Sequence, residues 1–475
     1  MARRIATMLV LSAMLLIPTP AGVHAQGQPL PEVTVEDDAT EEEAVRFRQE
    51  FGFRADLAFV RETFRDKVNY SSDWFSVPLS EAEHREMFRR AQIQQAMDEA
   101  IAYARTDPNF AGAYLDQLNG GRPVFLFTVI GPSIRSSLET RLPEGADVQV
   151  ELALKTEREI YELKDRIKAD RDDLAAQGLV IVQIAVATSL NTLHIGVVDL
   201  TVGFAETLRQ RYGAEIVVVD ADVAQSDACT SSNNCRPMKG GISINHTGGS
   251  PGECTSGFVV TRTDNGAFMM LTAGHCIQVN GTGFDQAWQH NSQGFGRAQY
   301  ETWLPGSAGD ADVGLITIQT PEWPSMTNPN RIRRKNGNGT LADQSVADVT
   351  AVSGVAQGGQ ACRVGRASGH DCGAIKFADE DNWSIVAGYQ WMNVLHTARV
   401  TFDSTDGDSG GPVFYYPGGG LCCNPVTALG THVHSEVDAS SVNEGWFSPY
   451  GWGRLNYDNL PQPSYTYSIC LSTSC

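Results

Sequence analysis

All ten cysteines of this 475-residue chain lie between Cys229 and Cys475. No other feature of the sequence limits its fold so strongly. An even number of cysteines confined to one half of a chain points to disulfides formed in an oxidising compartment. None has the CxxC spacing of a zinc site, so no metal is expected. The vicinal Cys422-Cys423 reads as two separate disulfide partners. The composition changes at the same place. Residues 26–228 hold 57 charged residues in 203 and 11 glycines, whereas residues 229–475 hold 33 in 247 and 34 glycines. The first part reads as helical and solvated, the second as a turn-rich, disulfide-tied β domain.

The chain opens with Met-Ala-Arg-Arg and a 13-residue apolar run from Ile5 to Ile17. That run is too short to cross a bilayer, and Val23-His24-Ala25 offers small residues for cleavage. Residues 1–25 are therefore expected to be a signal peptide and the mature protein to be secreted and extracellular. No other run is long enough for a membrane span. The formal net charge of −20 is spread over both halves with no basic stripe, which argues against nucleic acid. The acidity serves solubility.

Residues 26–228 divide further. The acidic stretch 26–45 reads as loosely helical or disordered. Ser80-Glu81-Ala82-Glu83 is a capping-box pattern that starts a helix running to Arg105. Residues 121–130, "GRPVFLFTVI", read as a strand. Residues 156–178 read as a charged helix with Ile160, Leu163, Ile167 and Leu174 on one side, ended by Gly178. Residues 179–220 read as a small α+β unit of two strands, a helix and a strand, with His194 packed in a strand. From Cys229 onward, short β runs such as "GFVVTR", "VGLITIQ" and "GPVFYY" are broken by Gly, Asn, Ser and Pro. That pattern predicts a sandwich or barrel.

The chemistry concentrates in "DSTDGDSGGPV", residues 403–413. Glycines at this density serve a backbone that takes positive φ or approaches another group closely. A serine hydroxyl is a poor nucleophile until a base sits beside it. The candidate base is His275 in "LTAGHC", at the end of an apolar strand and next to a cysteine. The candidate acid is Asp312 in "GDADVGLI", directly before an apolar strand, with Asp310 as its rival. "TAGHC", "DADVGLI" and "GDSGGP", in the order His, Asp, Ser, resemble the three signatures of the chymotrypsin-like serine peptidases. "CRVGRASGHDCGAI" (362–375) is similar to a segment of the bacterial branch, the streptogrisin and α-lytic type. The resemblance covers 236–436 well.

That resemblance implies an α+β pro-region followed by an all-β catalytic domain. The catalytic domain would be two six-stranded antiparallel β-barrels with the active site in the cleft between them. It implies residues 26–228 as a pro-region that inhibits and assists folding, and residues 229–475 as a serine endopeptidase domain with a disulfide-bearing C-terminal extension. Ser409 would be the nucleophile, His275 the general base and Asp312 its orienter. The N–H groups of Gly407 and Ser409 would form the oxyanion hole, and Arg363 would pair with a buried Asp408. Disulfides Cys254–Cys276 and Cys362–Cys372 follow from the same resemblance. Cys229–Cys235 is a plausible local loop, and Cys422, Cys423, Cys470 and Cys475 allow three pairings. No cofactor is implied. The partners would be polypeptide substrates and the chain's own pro-region, and the enzyme a monomer.

The specificity signals conflict. Asp403, six residues before Ser409, stands where trypsins bind Arg or Lys side chains. His432, in "ALGTHVHS", aligns with the histidine that glutamyl endopeptidases use for acidic side chains. Both are expected to touch the substrate side chain, and if both face the pocket they would pair and leave a nearly neutral, polar site. A histidine titrating near neutrality would make the preference depend on pH. No Lys or Arg lies between Arg211 and Arg236, which does not fit self-processing by a strict trypsin-like enzyme. Two other classes compete: a binding or scaffold protein on an inactivated peptidase fold, which should have lost a triad residue, and an esterase or lipase. The esterase elbow sits between a strand and a helix, whereas here "PVFYYPGGG" reads as a strand and a loop.

Overall fold

The computed structural model describes residues 39–72, 74–221, 238–247, 254–263, 265–278, 287–290, 293–301, 308–309, 311–319, 331–335, 341–349, 355–384, 392–405, 407–417, 426–437, 443–450 and 467–469. Asp310, Cys229, Cys235, Cys422, Cys423, Cys470, Cys475 and the stretch 222–237 lie outside them.

Three helices of the first half start with full capping boxes. Thr40 and Glu43 open Glu41–Glu50, Ser80 and Glu83 open Glu81–Ala104, and Thr156 and Glu159 open Glu157–Ala176. In each, the hydroxyl accepts the N–H three residues on and the glutamate reaches back to the cap N–H. Two backbone donors that the helix itself leaves unpaired are thereby satisfied. The Glu157–Ala176 helix buries Ile160, Leu163, Ile167 and Leu174, as its spacing predicts, and also Lys164. Residues 179–220 fold as strands Ile181–Ala187 and Thr192–Val197, helix Val202–Tyr212 and strand Val217–Asp220. His194 packs on the Phe377 ring, 5.3 Å away. Burial pushes its pKa down to about 4, helped by the charges of Arg399 and Lys376.

Six strands of the second half close into an antiparallel ring. Gln360–Gly365 pairs with Gly369–Ser384, which pairs with Met392–Val400, then Asn443–Pro449, Val426–Val437 and Pro412–Tyr415, which returns to Gln360–Gly365. The other sheet has eight strands. It runs Cys254–Thr255, Ser243–His246, Ala287–His290, Gln293–Glu301, Gly314–Thr317, Phe268–Thr272, Val259–Arg262 and Tyr467–Ile469. Among the described residues no pairing joins its two ends. One closed six-stranded barrel and one sheet curled into a half-barrel are consistent with the expected pair of barrels. The short end strands Cys254–Thr255 and Tyr467–Ile469 offer two and three residues for pairing.

The first half is built onto the closed barrel. Strand Ile181–Ala187 extends its wall, with Gln183, Ile184 and Ala185 opposite Asn382, Asp381 and Glu380. Phe47, Phe51, Phe75 and Phe88 share one buried cluster with Cys362, Cys372, Phe414 and Tyr416. An ionic contact reinforces this. Lys164 Nζ sits 3.0 Å from Asp379 and 3.3 Å from Asp381, Lys168 Nζ is 3.0 Å from Asp381, and His396 Nδ1 is 3.0 Å from Asp379. Burial disfavours the Asp379 charge, but Lys164 and His396 outweigh it and hold the carboxyl below its usual range.

Removing one partner of a buried ion pair leaves the other charge uncompensated. Lys164→Met should therefore destabilise the full-length chain by about 3–5 kcal/mol in urea unfolding.

Candidate active site

His275 lies in the short helix Gly274–Gln278, which follows the buried strand Phe268–Thr272. Its neighbour Cys276 is tied to Cys254 by a disulfide. Asp312 lies two residues before strand Gly314–Thr317, which pairs with Phe268–Thr272. That pairing brings acid and imidazole together. His275 Nδ1 is 2.5 Å from Asp312 Oδ2, and the His275 backbone N–H donates to Asp312 Oδ1 at 2.9 Å. One carboxylate thus fixes both the ring and the main chain of the histidine. The Asp312 N–H in turn donates to Ser448 Oγ on the barrel at 2.9 Å. All three residues are buried.

Ser409 sits in the turn before strand Pro412–Tyr415, fully buried, with its hydroxyl donating to the Val433 carbonyl at 3.1 Å. Its own carbonyl accepts from Thr255 N–H at 2.7 Å and lies 3.7 Å from Cys276 Sγ. Ser409 therefore abuts the residue next to His275. The turn needs its glycines for two reasons. Gly407 and Gly410 have φ of +98° and +91°, the region side chains disfavour. A Cβ on Gly410 would also fall 2.2 Å from Thr255 O. The turn's N–H groups are mostly consumed: Asp408 donates to Thr405 O, Gly410 to His432 O and Gly411 to Asp408 O. Those of Gly407 and Ser409 have no acceptor among the described residues.

Asp408 anchors the turn from beneath. Its Oδ2 is 2.9 Å from Arg363 Nη1, and both side chains are wholly inaccessible. It also accepts from the N–H groups of Ala367, Ser368 and Thr405 and from the Ser368 hydroxyl. Burial works against its charge, but Arg363 and these donors prevail and hold its carboxyl below the usual range. Gly365 makes room for this, since a Cβ there would meet Asp408 Oδ1 at 2.0 Å. Cys362 and Cys372, flanking the same hairpin, are disulfide-bonded.

Asp403 and His432 each have a distinct set of neighbours. The Asp403 carboxyl meets Glu43, from helix Glu41–Glu50, in a carboxyl–carboxyl hydrogen bond. Burial first, and this contact second, push Glu43 up to about 7. His432 lies fully buried, its ring 5.9 Å from Phe402. The acid whose charge it feels most is Asp408. Burial, aided by the Arg363 charge, pushes His432 down to about 3. The expected switch near neutrality is corrected accordingly: His432 is neutral there because its surroundings are dry and already hold a cation. Ser404 Oγ is buried without a hydrogen-bond partner among the described residues, close to Gly445.

Three contributors escaped sequence reading: Thr255, which holds the Ser409 carbonyl; Ser448, which holds Asp312; and Val433, whose carbonyl accepts a hydrogen bond from the Ser409 hydroxyl. Small hydroxyl residues and a main-chain oxygen carry no periodicity or motif that would single them out.

No protein-family model and no curated protein matches the chain. Among solved structures it is similar to Thermobifida fusca protease A, at 21% identity over 49% of this chain and 98% of the other, with a TM-score of 0.34. The chymotrypsin of Cellulomonas bogoriensis gives the same identity and coverages, with a TM-score of 0.33. A serine protease described as specific for glutamic acid and using a histidine triad in substrate binding gives 20% over 49% and 100%, with a TM-score of 0.34.

Two outcomes follow from these environments. Arg363→Met strands the Asp408 charge, and urea unfolding should show a loss of about 3–5 kcal/mol. His432 gains a proton in the unfolded chain near pH 6.5 but in the folded chain only near pH 3. The unfolded state thus binds more protons between those values, and stability falls as pH falls through that window. NMR titration should find the His432 ring neutral at pH 5, and His432→Phe should flatten the acid limb of the stability curve.

Proposed function

We propose that this chain is a secreted serine endopeptidase made as a pro-enzyme, with Ser409, His275 and Asp312 as its catalytic triad. The observation that carries this reading is the buried His275–Asp312 pair beside a serine turn whose Gly407 and Ser409 N–H groups have no acceptor among the described residues. The Ser409 hydroxyl first turns from the Val433 carbonyl toward His275. The imidazole takes its proton as the oxygen attacks the scissile carbonyl, and Asp312 stabilises the imidazolium. The carbonyl oxygen becomes an oxyanion held by the Gly407 and Ser409 N–H groups, each worth about 3–4 kcal/mol of transition-state stabilisation. His275 then protonates the leaving amine, and water releases the acyl group by the same route.

Residues 26–228 act in this reading as the pro-region, an inhibitor and folding aid. The wall-extending strand Ile181–Ala187 and the shared aromatic cluster support it. The substrates are polypeptides, and Asp403 and His432 remain the residues proposed to meet the side chain before the scissile bond. The esterase alternative is disfavoured because strand Pro412–Tyr415, not a helix, follows the serine. The inactive-scaffold alternative is disfavoured because all three triad residues are present.

Ser409→Ala should lower peptide hydrolysis at least about 10⁴-fold with the fold intact. A fluorophosphonate probe should label the active protein at Ser409 alone. Full activity in a folded Ser409→Ala protein would falsify the assignment.

A further inference from the structure

The two halves of the proposed machinery stand on different sheets. His275 and Asp312 belong to the curled sheet, and Ser409 with Gly407 to a turn of the closed barrel. Their separation must be held within a fraction of an ångström, because small misplacements of reacting groups are costly. One fully buried residue bridges them. Thr255 follows Cys254, whose disulfide partner Cys276 is adjacent to His275.

Every polar group of Thr255 is engaged. Its N–H donates to the Ser409 carbonyl at 2.7 Å. Its hydroxyl donates to the Gly407 carbonyl at 2.7 Å and accepts from the Arg366 N–H at 3.1 Å. Its carbonyl accepts from the Thr272 hydroxyl at 3.0 Å. The two carbonyls it grips lie on either side of the peptide unit that carries the Ser409 N–H. Fixing both, with Asp408 held below by Arg363, leaves that N–H one direction. The hydroxyl does a second task, since accepting from Arg366 ties the segment after strand Gln360–Gly365 to the same point.

We infer that Thr255 is a positioning residue of the active site: its hydroxyl aims the oxyanion-hole donors at the carbonyl that His275 and Ser409 attack. The inference rests on the serine-peptidase reading above. The hydroxyl is what matters. Valine fills the same volume but leaves the Gly407 carbonyl and the Arg366 N–H without their partner. Serine keeps both bonds and loses only a methyl group.

The test uses protein expressed from the full-length chain, with Thr255→Val, Thr255→Ala and Thr255→Ser compared on a peptide amide substrate. A peptidyl aldehyde serves as the probe of the tetrahedral state. Val and Ala should lower kcat by about 10- to 100-fold, with KM within about twofold, since a displaced donor acts on the transition state. Aldehyde affinity should weaken by a similar factor. Thr255→Ser should recover to within about threefold of wild type, on the same logic. A merely structural role predicts lower stability with unchanged kcat per labelled active site. That result would overturn the inference, as would a Ser variant as impaired as Ala. If Val fails to fold, the Ala and Ser pair decides. Undiminished hydrolysis in Ser409→Ala would overturn the serine-peptidase reading and this inference together, an outcome the Thr255 series cannot mimic.

Discussion

The buried ion pair of Arg363 and Asp408 is the constraint on which the serine turn depends. Two charges wholly removed from water are tolerable only when geometry and further hydrogen bonds offset their desolvation. Here Asp408 takes four donors besides the guanidinium. Arg363 also donates to Ser368 Oγ and the Asp403 carbonyl, and stacks over Phe402 at 5.3 Å. With its side chain locked downward, the Asp408 main chain is set, and Gly407 and Ser409 on either side are set with it. Burial first, and the Arg363 charge second, keep His432 neutral, with Asp408 opposing them.

Much of the site was legible because its signals are local. A histidine beside a cysteine after an apolar strand, an acid directly before another, and a serine among glycines each reflect backbone demands at one place. Strand pairing then brings the first two into contact. The capping boxes at Ser80 and Thr156 were legible for the same reason, as reciprocal bonds between residues three apart. What sequence could not give depends on who packs against whom. Asp403 and His432 stand out by motif position, but no local signal tells that Glu43, more than three hundred residues away, meets the Asp403 carboxyl. Nothing in the charged helix marks Lys164 as the charge that lies buried against Asp379 and Asp381.

Residues 39–221 and the closed barrel are joined by three kinds of force at once. Backbone pairing extends the barrel wall, aromatic side chains from both sides fill one cluster, and lysines neutralise carboxylates of the strand Gly369–Ser384. These differ in their dependence on conditions. The apolar part weakens on cooling, and charges of limited burial respond to salt.

The carboxyl groups at Glu43 and Glu50 give this contact a proton stoichiometry. Glu50 accepts from the Thr401 hydroxyl at 2.6 Å. Burial pushes it up to about 7, as burial and Asp403 do for Glu43. Both would ionise near pH 4.5 if helix Glu41–Glu50 were free. Between those values the packed helix holds protons that the free helix would release, so packing consumes protons and separation returns them to the solvent. The contribution is complete below pH 4.5 and fades as pH rises through 7. Acidity of the surroundings thus acts as a ligand of this contact, bound by the packed state and discharged on separation.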